Sequence, residues 1–237
     1  SEDRFAAWAQ FVWWLVWPIV VSLLFSWLAD RFDLAHGWML ALLAMPWLVA
    51  ATLSIFRWPW LAAPQGERFT PYRCALQTVY FSVLGLWWLF VLFLSGESAP
   101  LPWLPLLNPL ELAQLAVLAL AVRWLWSEQS PAWLQRLRLF LLSAGGFLMV
   151  TFTTLRAVHH WGNVDWGSSM LSTSLAQTSL TVVWSVLGVL GWVIGSRRGN
   201  RGLWLAGAVL MGVVLVKLIL VDRGNLGDAW GIGSFIA

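Results

Sequence analysis

The residues most capable of chemistry lie in one short stretch, 156–167. Arg156, His159 and His160 recur at helical spacing, so they fall within about one turn of a helix. Histidine titrates near neutral pH and can act as a general base, and arginine binds anions. This spacing predicts a site that binds an anionic headgroup or moves a proton. The catalytic candidates are His159, His160 and Asp165, and the binding candidates are Arg156 and Trp161.

A second charged group, Lys217 and Asp222, closes the last long apolar run. This run and the one that ends near His160 are predicted to cross the membrane in the same direction, so their carboxyl ends reach the same interface. Cations are favourable at helix carboxyl ends, which carry a partial negative charge. We therefore expect His159, His160, Lys217 and Asp222 to converge. Asp222 becomes a fourth catalytic candidate, and Lys217 and Gln177 become further binding candidates.

The sequence assigns no metal and no cofactor to these residues. Adjacent histidines point about 100° apart on a helix, which disfavours a shared metal ion. The single cysteine, Cys74, has no partner for a disulfide or a metal pair. A simpler interpretation is that Arg156 and Lys217 extend to the membrane interface and that the histidines are ordinary interface residues. The enzymatic role of the stretch therefore stays open.

Long apolar runs must position these residues. The 237-residue chain is 60% hydrophobic and 11% charged, a balance that soluble domains do not have. Each run is about long enough to cross a ~30 Å hydrocarbon layer as a helix. The chain is predicted to be an all-α integral membrane protein, one transmembrane domain of about seven helices with the start of an eighth at 233–237. The seven predicted spans are residues 6–28, 38–56, 74–94, 110–126, 137–158, 174–194 and 203–221.

The two ends of the sequence suggest a piece of a longer polypeptide, because it begins at Ser1 and stops where the eighth run begins. Basic residues favour a cytoplasmic amino end, since they resist translocation. Ten of the 14 basic residues fall on the predicted cytoplasmic side: Arg4, Arg57, Arg68, Arg73, Arg123, Arg136, Arg138, Arg197, Arg198 and Arg201. Because these residues flank spans, the net charge of +3 indicates orientation and not nucleic-acid binding.

Several local patterns describe the helices themselves. Asn108, Pro109 and Glu111 form a helix start, with a cap, a proline at the first position and a carboxylate that the helix dipole favours. The preceding connection, 95–108, is rich in proline and is predicted to be extended. Glycines are expected to pack the last three spans as one bundle: Gly145, Gly146, Gly191, Gly195 and Gly207. The chain is also rich in tryptophan, with 21 residues, many of them near predicted interfaces.

One face of the sixth predicted span carries polar side chains at three- and four-residue spacing. This stripe is either a helix-packing surface or the lining of a substrate path. Its residues are Ser174, Gln177, Thr178, Thr181 and Ser185.

The carboxyl-terminal third resembles a bacterial family of large membrane proteins known as domain of unknown function 2339. The resemblance is carried by RAVHHW at 156–161, QTSLTVVW at 177–184, RGLWLAGA at 201–208 and VKLILVD at 216–222. It implies a longer chain in a bacterial inner membrane with many spans, often with a soluble cytoplasmic amino-terminal region, and a further span after a segment similar to 234–236. Where relatives commonly have an arginine before that segment, this chain has Gly231 or Gly233. The resemblance implies no particular reaction.

Three functions remain in competition. The first is a structural or assembly subunit of the bacterial envelope, favoured by the packing motifs. The second is a transporter or channel with a polar path along the sixth span. The third is a membrane enzyme that acts on a lipid-linked or glycan substrate at the outer face through His159 or His160. The expected partners are membrane lipids, other membrane subunits or the rest of the chain, and not nucleic acid.

The charge asymmetry generates a direct test of orientation. In a chain whose Cys74 is replaced by serine, a membrane-impermeant thiol reagent added outside should label Gly162→Cys and not Gly199→Cys. Reagent added to inverted vesicles provides the matching control and should label the second variant. The reverse pattern would overturn the predicted orientation.

Overall fold

The computed structural model describes residues 2–233, and side chains are described for residues 4–219. The described residues form helices and no strand. Two compact units, Ser1–Trp161 and Gly162–Ala237, are considered separately. The α-helices are α1 (Glu2–Arg31), α2 (His36–Phe56), α3 (Trp58–Ala62), α4 (Arg73–Leu92), α5 (Pro109–Leu125), α6 (Ala132–Gly162), α7 (Ser174–Arg197) and α8 (Arg201–Gly233), and two short 3₁₀ helices lie at Gly66–Tyr72 and Ser168–Ser172.

Within the described residues, six segments are long and apolar enough to cross a membrane. The all-helical membrane class is therefore confirmed, whereas the count of seven spans plus an eighth is not. The predicted fourth span coincides with α5, which has only 17 residues and covers about 26 Å at ~1.5 Å per residue. The predicted start of an eighth span falls almost entirely at 234–237, outside the described residues. The six segments are Arg4–Arg31, His36–Phe56, Gly66–Leu92, Ala132–Gly162, Ser174–Arg197 and Arg201–Ile219.

Two side-chain hydroxyls of the first unit donate to backbone carbonyls of a neighbouring helix. Pro18 has no N–H, so the carbonyl of Trp14, four residues earlier in α1, lacks its helical donor. The Tyr80 hydroxyl of α4 donates to this carbonyl at 2.8 Å. The Ser22 hydroxyl of α1 donates to the Leu43 carbonyl at 2.8 Å, just before Pro46 in α2. These two hydrogen bonds tie α1 to α2 and α4. Only the Trp14 acceptor is freed by a proline, because Pro46 frees the carbonyl of Leu42 and not that of Leu43.

Aromatic stacking holds the short segment between α2 and α4. Trp58 stacks on Phe69 with ring centroids 5.6 Å apart, and Phe69 stacks on Tyr72 at 5.7 Å. The Arg73 guanidinium lies 5.1 Å from the Trp58 ring and donates to the Ser54 carbonyl at 3.3 Å. Because that carbonyl belongs to the last turn of α2, where helical donors are absent, Arg73 also helps to cap α2.

Glycines bring α7 and α8 into backbone contact in the second unit. A Cβ added at Gly191 would lie 3.3 Å from the Cα of Gly207, and a Cβ at Gly195 would overlap the backbone of Trp204. The predicted close approach of the sixth and seventh spans is confirmed. Their packing against the fifth span stays a prediction. A Cβ at Gly146 would meet no described atom within 4 Å, so this glycine shows no close backbone contact.

Replacing Gly191 by leucine should lower the thermal unfolding midpoint in detergent, because a side chain there must push the α8 backbone away. Overpacking of this kind costs about 1–3 kcal/mol. Gly212→Leu is the matched control, since a Cβ at Gly212 meets open space. Equal midpoints for the two variants would contradict the α7–α8 contact.

Candidate functional site

The candidate site begins where Arg156 leaves α6. Helix α6 continues to Gly162, so the predicted one-turn spacing of Arg156, His159 and His160 is preserved. The Arg156 side chain turns into the first unit and is 0% exposed. The alternative that Arg156 extends to the membrane interface is therefore wrong for this residue.

The buried Arg156 guanidinium makes five hydrogen bonds, and all of them are to protein atoms. Nη1 donates to Glu111 Oε1 at 3.1 Å and to Gln114 Oε1 at 2.9 Å. Nη2 donates to the carbonyl of Val91 at 2.6 Å and to that of Leu92 at 3.5 Å. Nε donates to the Leu94 carbonyl at 3.0 Å. An arginine has five N–H groups, so the donor capacity of Arg156 is used within the first unit.

Two of these contacts, to the Val91 and Leu92 carbonyls, cap helix α4, and the acceptor of the third, Leu94, lies two residues beyond its end. The carbonyls of a helix's last turn lack helical donors and carry the negative end of the helix dipole. Arg156 supplies both the donors and the positive charge at this position. It therefore joins the end of α4 to the end of α6.

Glu111 supplies the compensating negative charge from the start of α5. The predicted helix start is confirmed, because the Glu111 N–H donates to Asn108 Oδ1 at 2.9 Å and Pro109 occupies the first turn. Glu111 is also 0% exposed, and its Oε2 accepts from the Leu106 N–H at 2.7 Å. The helix dipole is therefore not the only group that stabilises the Glu111 carboxylate. Glu111 also forms a buried ion pair with Arg156 at 3.1 Å.

The connection between α4 and α5 folds over this ion pair. Gly96 adopts a positive φ of 70°, and a Cβ there would lie 3.4 Å from Arg156 Nε. The Glu97 carbonyl accepts from the Gly37 N–H at 3.0 Å, and the Ser98 carbonyl accepts from Trp38 Nε1 at 3.2 Å. Two turns interrupt the predicted extended connection: the Leu101 N–H donates to the Ser98 carbonyl at 2.9 Å, and the Leu107 N–H donates to the Leu104 carbonyl at 3.2 Å.

The histidines lie beside this connection. His160 Nε2 lies 2.9 Å from the Ser95 carbonyl, and since a carbonyl only accepts, the ring proton must sit on Nε2. The His160 ring stacks on Trp103 at a centroid distance of 4.8 Å and contacts the His159 ring at 4.7 Å. Trp161 meets Trp103 edge-on at 5.7 Å and is 62% exposed. His159, His160 and Trp161 thus form an aromatic group with Trp103.

Gln177 and Lys217 form a separate contact in the second unit. Lys217 Nζ donates to the Gln177 carbonyl at 3.0 Å and to Thr181 Oγ1 at 3.1 Å, and it lies 5.6 Å from the Trp184 ring centroid. The seventh span was predicted to end at residue 221, shortly after Lys217, but helix α8 continues to Gly233.

The structure thus groups the predicted site residues in two sets. Arg156, His159, His160 and Trp161 lie together in the first unit, and Gln177 contacts Lys217 in the second. Asp165 is exposed in the segment that precedes α7. The Asp222 side chain lies outside the described residues, so the predicted convergence of the histidines with Lys217 and Asp222 stays a prediction.

A family model described as "Predicted membrane protein (DUF2339)" matches residues 1–237. The chain belongs to this family. The match to the DUF2339 model includes the first 155 residues as well as the carboxyl-terminal motifs. The family description names no activity. No curated protein and no solved structure matches the chain significantly.

Sequence reasoning missed Glu111, Gln114 and Trp103 as parts of this DUF2339 site. A signal for the first was present: Glu111 and Arg156 have opposite charges, and the start of the fourth predicted span and the end of the fifth lie on the same side of the membrane. Charges inside membrane segments usually pair with one another. Gln114, one turn after Glu111, has no comparable signal, because a single amide in a helix is compatible with many positions.

The five hydrogen bonds of Arg156 predict that a residue with the same positive charge but fewer donors cannot replace it. Arg156→Lys should destabilise the protein by about 2 kcal/mol, because one ammonium cannot reach all five acceptors and leaves buried carbonyls unpaired. The readout is the thermal unfolding midpoint in detergent. Arg57→Lys, at an exposed position, is the control and should have no effect. A midpoint unchanged by Arg156→Lys would contradict the described network.

Proposed function

We propose that this DUF2339 chain is a structural or assembly subunit of the bacterial inner membrane, and that its most prominent polar cluster stabilises the fold instead of binding a substrate. One observation carries this proposal. Arg156, Glu111 and Gln114 are all 0% exposed, and the five hydrogen bonds of Arg156 end on protein acceptors. A catalytic or substrate-binding arginine needs donors that a ligand can reach.

The polar stripe of the sixth predicted span supports the same proposal. The Ser185 hydroxyl donates to the Thr181 carbonyl at 2.7 Å, and the Thr181 hydroxyl donates to the Gln177 carbonyl at 2.8 Å. Both are contacts within one helix, and Lys217 of α8 adds contacts to Gln177 and Thr181. The Lys217 contacts join α7 to α8, and the two hydroxyls are already bonded within α7, which leaves fewer polar groups to line a transport path.

Catalysis at His160 is the competing function, and one observation favours it. The exposed ring of Trp161 lies next to the histidines, and aromatic rings with one polar atom suit the membrane interface. A lipid-linked glycan could stack there while His160 Nδ1 accepts a proton. By the charge asymmetry, we place this end of the first unit at the outer face and the amino end in the cytoplasm.

Complementation in the native bacterium separates the two functions. A strain that lacks the full-length protein is tested for growth at low osmolarity and for the size of membrane complexes on native gels. If the protein is structural, His160→Gln should restore both, because a glutamine amide can still donate to the Ser95 carbonyl. Arg156→Gln should restore neither, because it leaves Glu111 as an unpaired buried charge.

Protein abundance in the membrane must be measured for each variant. Loss of complementation by His160→Gln at normal abundance and normal thermal midpoint would contradict the structural function and favour the enzyme. His36→Gln is the matched control, because it changes a histidine of the same chain that does not belong to the aromatic group with Trp103.

A further inference from the structure

Helix α5 leads from the end of α4 to the start of α6. The Arg156 guanidinium of α6 donates to the carbonyls of Val91 and Leu92 at the end of α4, so the carboxyl ends of α4 and α6 lie together. Both helices belong to segments that are long and apolar enough to cross a membrane. A chain in which α4 and α6 cross in the same direction must come back through the bilayer, and α5 is the helix that connects them.

A crossing by α5 is short. Its 17 residues cover about 26 Å at ~1.5 Å per residue, which is less than the ~30 Å of the hydrocarbon layer, and tilting shortens this reach further. Charges identify the end that reaches water, because Arg123 in the last turn of α5 and Glu128 just after it are both exposed. With that end at one surface, the amino end of α5 lies below the opposite surface of the hydrocarbon.

The connection that leads into this amino end has an apolar surface. Residues 98–110 include no charged residue, and the polar side chains of Ser98 and Asn108 are buried. Exposed apolar patches mark contacts with a membrane or with another protein. Four large apolar side chains of the connection are exposed: Leu101, Leu104, Leu106 and Leu107.

The backbone of this connection bonds to other groups of the protein at many positions. Its prolines, at positions 100, 102, 105 and 109, have no N–H group. The carbonyls of Leu101 and Leu104 accept from the side chains of Ser98 and Asn108 at 3.1 and 3.2 Å. Irregular backbone at membrane depth is tolerated where protein groups satisfy its hydrogen bonds. The N–H groups that donate to protein acceptors include those of Leu101, Leu106 and Leu107.

We propose that α5 crosses the bilayer as a short span and that residues 98–108 form a shallow re-entrant segment, whose exposed leucines lie among the acyl chains of one leaflet. Lipid hydrocarbon is the occupant of this apolar surface, because the missing length of α5 places the segment below the headgroups. Trp161, whose exposed ring lies beside Trp103, marks the interface, where tryptophan is enriched. The segment also keeps water away from the Glu111–Arg156 pair, and a surrounding of low dielectric constant strengthens the attraction between these charges.

Nitroxide labels on single cysteines test the depth of the segment. The full-length protein, with Cys74 and every other native cysteine replaced by serine, is reconstituted in vesicles of dioleoyl phosphatidylcholine. Molecular oxygen concentrates in hydrocarbon and a neutral nickel chelate concentrates in water, so the collision rates of a label with the two report its depth. Labels at Leu101→Cys and Leu107→Cys should collide more with oxygen than with nickel.

Two exposed positions outside the segment provide matched controls. Leu86→Cys lies on α4 within a candidate membrane span and should show the same excess of oxygen collisions. Glu128→Cys lies in the connection after α5 and should show an excess of nickel collisions. All four labelled positions are exposed, so the labels do not disturb helix packing.

Bilayer thickness tests the role of α5. Dilauroyl phosphatidylcholine has shorter acyl chains, and its hydrocarbon layer is thin enough for a helix of this length to cross without mismatch. The oxygen excess at Leu107→Cys should then fall toward the value at Glu128→Cys, because the start of α5 reaches the surface. The oxygen excess at Leu86→Cys should remain.

Three results would contradict the proposal. A nickel excess at Leu101→Cys and Leu107→Cys in dioleoyl vesicles would show that water covers the segment. Few collisions with either reagent at these positions would show that protein covers it. An oxygen excess at Leu107→Cys that persists in the thinner bilayer would overturn the dependence on the length of α5.

Discussion

A charge buried away from water must find its partners inside the protein, and in the first unit this requirement falls on Arg156. The desolvation of a guanidinium costs several kcal/mol unless an opposite charge and hydrogen-bond acceptors replace water. Glu111 provides the charge, and the acceptors are Gln114, the last carbonyls of α4 and the Leu94 carbonyl just beyond that helix. The end of α4, the start of α5 and the end of α6 must therefore stay together. Separating any of them would leave an uncompensated polar group.

The connection above the pair depends on the same interaction. Glu111 accepts the N–H of Leu106, a residue with a positive φ of 63°, and Gly96 lies against the Arg156 side chain. Trp103 and His160 then stack beside this connection. The aromatic group that sequence alone would assign to catalysis is therefore positioned by a structural ion pair. This dependence explains why the densest polar region of the chain can serve stability and assembly, as we propose.

Much of the fold could be predicted from sequence, because membrane helices follow from local composition. The apolar runs correspond to α1, α2 and α4 to α8, and the Asn108 cap gave the start of α5 correctly. The end of α8 could not be predicted, since Lys217 and Asp222 resemble a membrane boundary while the helix continues to Gly233. The shortness of α5 could be predicted, because the predicted span 110–126 is as long as the observed helix of 17 residues.

The candidate site was predicted only in part. Helical spacing correctly brought Arg156, His159 and His160 together, because they share one turn of α6. The partners of Arg156 come from residues 42 to 65 positions earlier in the chain, and no local pattern specifies contacts at that separation. The position of Glu111 in the first turn of α5 already accounts for a carboxylate there. No local pattern therefore indicated its ion pair with Arg156. Pairing of opposite charges on one side of the membrane is the more reliable guide for such residues.

A double-mutant cycle on Arg156 and Glu111 tests the central claim most directly. The thermal unfolding midpoints of Arg156→Gln, Glu111→Gln and the double variant are compared in the same detergent. If the two residues form a buried ion pair, each single variant leaves an unpaired charge, and the double variant loses clearly less than the sum of the two losses. The expected coupling is about 1–3 kcal/mol. Additive losses, equal within about 0.5 kcal/mol, would show that the two side chains do not interact and would contradict the structure described above.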